Sequence, residues 1–119
     1  MGMNRSTYVI AGYDLTGWDT DKYKDWKWTK EGEEYTCNQS KGKIQLFDDP
    51  MNGNYLYLGY ILACGNDYNF DTTKFNPALI EHQEKYISMK LDWLKFIGVI
   101  SKDTKFNPKY QVIVFDEWS

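Results

Sequence analysis

KIQLFDDPMNGNYLYLGYILAC, residues 43–64, is the stretch on which the fold turns. Two apolar runs flank a segment that contains Pro50 and the pair Asn52-Gly53. Asn-Gly accepts the positive φ angles of a tight turn between antiparallel strands, and Pro50 pre-sets φ at a turn start. The stretch therefore predicts a β-hairpin whose second strand is long and rich in tyrosine. Because side chains alternate along a strand, Leu56, Leu58, Tyr60, Leu62 and Cys64 share one face, expected to be the core face. Tyr55, Tyr57, Gly59, Ile61 and Ala63 share the other, where the glycine would let something approach the backbone closely.

Upstream of the hairpin, Thr7 to Leu15 is rich in β-formers and predicts a first strand, broken at Thr16-Gly17. From Asp19 or Thr20 to about Lys30 the chain predicts a helix carrying Tyr23 and Trp26, with Gly32 as its stop and a polar loop over 36–42. Two residues apart on a helix point about 200° apart, so one of Trp26 and Trp28 should face solvent. Downstream, 65–75 reads as a polar connection. Asn76-Pro77 then opens a second helix, with Asn as cap and Pro in the first turn. Its inner stripe is Ile80, Ile87, Leu91, Leu94 and Gly98, and Gly98 is its stop. Residues 101–109 read as a loop, and Tyr110 to Phe115 as a last strand. Strand, helix, strand, strand, helix, strand predicts a single α+β domain spanning 1–119. It has an antiparallel sheet of three to four strands with one or two helices on one face, and βαββαβ, ferredoxin-like, is the leading arrangement.

With 119 residues, a 42% hydrophobic share and a 26% charged share, the chain can bury one core of its own. Its aromatic share is 18%, from ten Tyr, six Phe and five Trp. Such rings serve cores and protein interfaces alike. A net charge of −3 argues against generic phosphate-backbone binding. Between Asp14 and Glu34 seven acids stand against four lysines, interleaved with Trp18, Tyr23, Trp26 and Trp28. The plain reading of such a run is a solvated helix face. The functional one is an acidic, aromatic-rich interface. No apolar run is long enough to cross a bilayer, and no apolar leader is visible, so the expected location is the cytoplasm.

Little in the chain suggests catalysis. Cys37, Cys64 and His82 have no metal-ligand spacing, and no cofactor motif is present. His82 falls on the outer side of the second helix, while Cys64 reads as a small core residue. Asp48-Asp49 before Pro50 is accounted for by turn chemistry, and Asp116-Glu117 closes the last strand. A small enzyme using Asp48, Asp49 or His82 would require these groups to converge in one cleft. The βαββαβ order also invites comparison with RNA-recognition modules, which stack bases on strand aromatics. Tyr8, Tyr55 and Tyr57 could form such a platform, but the third strand lacks Lys or Arg beside them.

The segments Tyr8–Leu15, Asn38–Met51 and Tyr55–Leu62 together resemble small uncharacterised phage and prophage proteins of Gram-positive bacteria. The resemblance implies a context, an accessory factor that acts by binding a host protein of a defence or replication system, and carries no site residues with it. The expectation is thus a non-catalytic protein-binding factor with Trp18, Tyr23, Trp26, Trp28, Tyr55 and Tyr57 as candidate interface. The alternative is a small-molecule or nucleotide-binding protein with an aromatic pocket. A symmetric homodimer is compatible with either.

Overall fold

The computed structural model describes residues 5–16, 21–36, 42–48, 55–66, 76–100 and 108–118. The chain runs β1 (Arg5–Asp14), α1 (Asp21–Trp26), α2 (Lys30–Thr36), β2 (Ile44–Asp48), β3 (Leu56–Asn66), α3 (Ala78–Phe96) and β4 (Gln111–Trp118). One four-stranded sheet has the order β2-β3-β1-β4, and all neighbours are antiparallel. This is an α+β fold. Its strand order is that of the ferredoxin-like arrangement, with two short helices in the first crossover instead of one. The hairpin is present as β2 paired with β3, from Ile44 opposite Tyr60 to Asp48 opposite Leu56. Its expected turn at Asn52-Gly53 lies outside the described residues.

α3 begins and ends where its sequence dictates. The Asn76 side-chain oxygen accepts the Ala78 amide at 3.0 Å, and Pro77 already has helical angles. Gly98 takes φ +81° at the far end. The Gly98 amide donates to Lys95 O and the Val99 amide to Leu94 O, which satisfies two terminal carbonyls. Val99 and Leu94 are both buried in the core beside this stop.

The helix expected over 20–30 is two helices, and Gly32 is not its stop. Gly32 lies inside α2 and is buried. A Cβ there would sit 2.1 Å from Trp26 O, so α2 packs backbone-to-backbone on the end of α1. Thr29 separates the two: its hydroxyl donates to Trp26 O at 2.7 Å and accepts the Gly32 amide at 3.1 Å, capping α2.

The helical layer covers one face of the sheet. Tyr13, Leu15, Leu46, Leu56 and Leu58 pack there with Tyr23 of α1, with Ile87, Leu91 and Leu94 of α3, and with Val99 and Ile100 after it. The opposite face, expected to be the more open one, is a second core built from Tyr8, Ile10, Phe47 and Ile61, with Tyr55, Tyr57, Cys64, Ile113 and Phe115 against them. Phe47 on edge strand β2 and Phe115 on edge strand β4 have ring centroids only 5.3 Å apart. Three strand spacings would separate such edges by about 14 Å in a flat sheet. The sheet therefore curls, concave on this side, and its rings converge. Gly12 and Gly59 face each other across β1 and β3 on the same side. A Cβ on Gly12 would meet Leu58 O at 1.9 Å. The neighbour that approaches the strand glycine is thus the adjacent strand of the sheet itself.

Cys64 changes face relative to the sequence reading. Val9 pairs with Ala63 but Ile10 with Ile61, so Leu62 is an extra residue in β3. This bulge shifts the alternation by one, and Cys64 joins Ile61 on the concave side.

Candidate binding surface

Of the five candidate interface residues among those described, the structure leaves one clearly displayed. Tyr23 is buried at 3% exposure and belongs to the core beneath the helices. Its hydroxyl lies near the Asp48 carboxylate, and burial together with that charge pushes its ionisation far above the ordinary phenol range. Trp26 is half-buried in a three-ring contact with Tyr35 of α2 and Trp93 of α3, at centroid distances of 6.0 and 6.2 Å. Tyr35 and Trp93 lie 5.5 Å apart, so these rings pin the three helices together. Lys90 donates to the Tyr35 hydroxyl at 2.9 Å and sits over both rings. Trp18 lies outside the described residues.

Tyr55 and Tyr57 stack on each other at 4.9 Å and tilt against Phe115 at 5.5 and 4.9 Å. Tyr8 lies 5.4 Å from Phe47 and 5.5 Å from Phe115. The rings that a base-stacking platform or a flat-ligand pocket would use thus spend their faces on one another. Burial, and next the Asp14 charge across from it, raises the ionisation of Tyr57.

Trp28 is different. It is 74% exposed, on the turn between α1 and α2. Sequence periodicity placed one of Trp26 and Trp28 outward; the helix break at Lys27–Thr29 decides that it is Trp28. The turn is fixed by backbone bonds from the Lys27, Trp28 and Thr29 amides to Tyr23 O, Asp25 O and Trp26 O. Lys27 Nζ lies 5.1 Å from the Trp28 ring centroid and 2.8 Å from Asp48 Oδ2. A cation on the ring, itself held by a carboxylate on β2, fixes an apolar side chain in water. Exposed Glu31, Glu33 and Glu34 of α2 follow, with Asp25 before them.

Sequence reasoning missed a second displayed region, the outer side of α3. Tyr86, Met89, Phe96 and the adjoining Ile97 are among the exposed large apolar residues. Their signal was present as a second apolar spacing in the same helix, masked by the stronger core stripe.

The groups considered for chemistry occupy separate neighbourhoods. Asp48 is tied to Lys27 under α1, while His82 is exposed on α3 beside Tyr86. Cys64 is on the face of the sheet away from α3. Cys37 and Asp49 lie outside the described residues. Among the described residues no group of three or more His, Cys, Asp or Glu could hold a metal ion, and no helix is long and apolar enough to cross a membrane. Comparison of the chain with protein-family models, with curated proteins and with solved structures finds no match.

Proposed function

We propose that this chain is a non-catalytic protein-binding factor, a phage or prophage accessory protein that works in the cytoplasm and engages a host protein of a defence or replication system. Its anchor is Trp28, and the acidic residues of α2 form the rim. The observation that carries this reading is the exposure of Trp28 at 74% on a turn where backbone bonds, Thr29 and the Lys27–Asp48 pair all hold it in place. Among the described residues this tryptophan belongs to neither core, although an ordered scaffold holds it in water. Tryptophan is enriched among residues that dominate interface energetics, and a carboxylate rim steers toward basic partners. The resemblance of the hairpin and first strand to phage proteins supplies the biological setting.

Affinity capture from a Gram-positive host lysate, with the wild-type protein beside Trp28→Ala, tests the reading. One dominant protein should be retained by the wild type, lost with Trp28→Ala and weakened by salt. Identical captured proteins with both baits would sink it.

A further inference from the structure

The outer face of α3 carries a second pattern. His82, Tyr86, Met89, Trp93 and Phe96 are spaced four, three, four and three residues apart. At about 100° per residue they fall within about 40° of one line, roughly opposite the Ile80–Ile87–Leu91–Leu94 core stripe. The stripe is about 21 Å long at 1.5 Å per residue. Its residues are large and apolar yet displayed: Tyr86 is 46% exposed, Met89 57% and Phe96 78%. Trp93 is half-buried against Trp26 and Tyr35, which gives the stripe a rigid floor at one point. A four-three apolar repeat is the seam along which helices pair side by side.

Of the charges beside the seam, Lys90 is held on one flank by the Tyr35 hydroxyl at 2.9 Å, and two on the other flank say which helix fits. Exposed Lys85 and Asp92 lie on the same flank, about 60° and 80° from the seam. When two copies of α3 run antiparallel about a two-fold axis at Met89, His82 falls opposite Phe96 of the second copy. Tyr86 then meets the Trp93 level, and Met89 meets its own counterpart. The same axis sets Lys85 beside Asp92 of the other copy, and Asp92 beside the other Lys85. Two unlike pairs form from one sequence, as a self-complementary isologous contact requires. In a parallel pair the two-fold axis would set this flank against the opposite one, and Lys85 and Asp92 would not meet.

We infer that α3 is a homodimerisation helix whose outer seam, His82 to Phe96, pairs antiparallel with the α3 of a second copy about Met89. This face is separate from the Trp28 turn, so dimerisation and host binding stand or fall independently.

Sedimentation equilibrium over a concentration series reaching about 100 μM tests the pairing. The wild type should dimerise, and Met89→Asp should be monomeric with an unchanged circular dichroism spectrum, because Met89 is exposed. Lys85→Asp and Asp92→Lys should each weaken the dimer roughly tenfold, from two pairs turned repulsive at once. The double exchange Lys85→Asp/Asp92→Lys should return it to near wild-type strength. A monomeric wild type overturns the inference. So does a dimer indifferent to Met89→Asp, or one that the double exchange fails to restore.

Discussion

Replacing Gly32 by alanine sets two physical effects against each other, and the structure decides which prevails. In a free helix the change is favourable by about 1 kcal/mol, because glycine is a poor helix former. Here the new Cβ would lie 2.1 Å from Trp26 O, 2.8 Å from Lys27 Cα and 2.9 Å from Trp26 C, all backbone atoms that no rotamer change can clear. Reaching an ordinary contact requires α2 to move away from α1 by roughly 1 Å, and overpacking of this kind costs about 1–3 kcal/mol. The same movement strains the 3.1 Å bond from the Gly32 amide to Thr29 Oγ1, worth about 1 kcal/mol as a cap. The net expectation is a loss of about 1–3 kcal/mol, or a fall in Tm of roughly 4–12 °C for a domain of this size. Thermal unfolding followed by tryptophan fluorescence, with urea unfolding beside it, measures the change. A Gly32→Ala protein with an equal or higher Tm would refute the close approach.

Other outcomes follow from the same structure. Trp28→Ala should shift stability by no more than about 0.5 kcal/mol, since the ring is largely in water, while its partner's affinity drops by about 2 kcal/mol or more; urea unfolding and a binding titration separate the two. Phe115→Ala should cost about 3 kcal/mol by removing the ring that touches Tyr8, Phe47, Tyr55 and Tyr57, and an unaffected urea midpoint would show that the concave face is not a core. Alkaline stability should be biphasic. Burial, then Glu84 and Tyr13, push Tyr110 up to about 12 from 10.0, and burial chiefly raises Tyr8, Tyr13 and Tyr57. The folded state holds these protons more tightly than the unfolded chain. Each contribution is therefore full below pH 10.0 and is lost as pH rises through the folded value, which for Tyr110 is about 12. Urea unfolding at stepped pH, with tyrosinate absorbance as a second probe, should show a plateau and then this decline. Tyr110→Phe, which removes the hydroxyl bond to Ile80 O, should cost about 1 kcal/mol at neutral pH.

Some features were legible because they are local. Asn76-Pro77 and Gly98 bracket α3 through caps that involve residues a few positions apart. The strands follow from alternation and the β2–β3 pairing from the hairpin, while the strand order came from the structure. The candidate site was legible only in part. Composition marked 14–34 as aromatic and acidic, and helical geometry required one of Trp26 and Trp28 to face outward. It did not show that Tyr23 lies under the helical layer or that Trp26 serves as a helix clamp.

Those outcomes depend on partners distant in sequence. Trp26 is enclosed because Trp93, on another helix, reaches it. Tyr8, Tyr55 and Tyr57 are spent on a second core because Phe47 and Phe115 meet across the whole sheet. That meeting joins the two edge strands of the sheet, and neither segment alone announces it. Gly32 and Leu62 show the same division: each reads one way in its own segment and another once a neighbour sets its spacing or its register. By itself the sequence determined the strands, the ends of α3 and the α+β class, because caps, turns and alternation act over a few residues. Tertiary structure alone decided which aromatic side chains are core and which are displayed, because burial is a property of what lands on a residue and not of the residue.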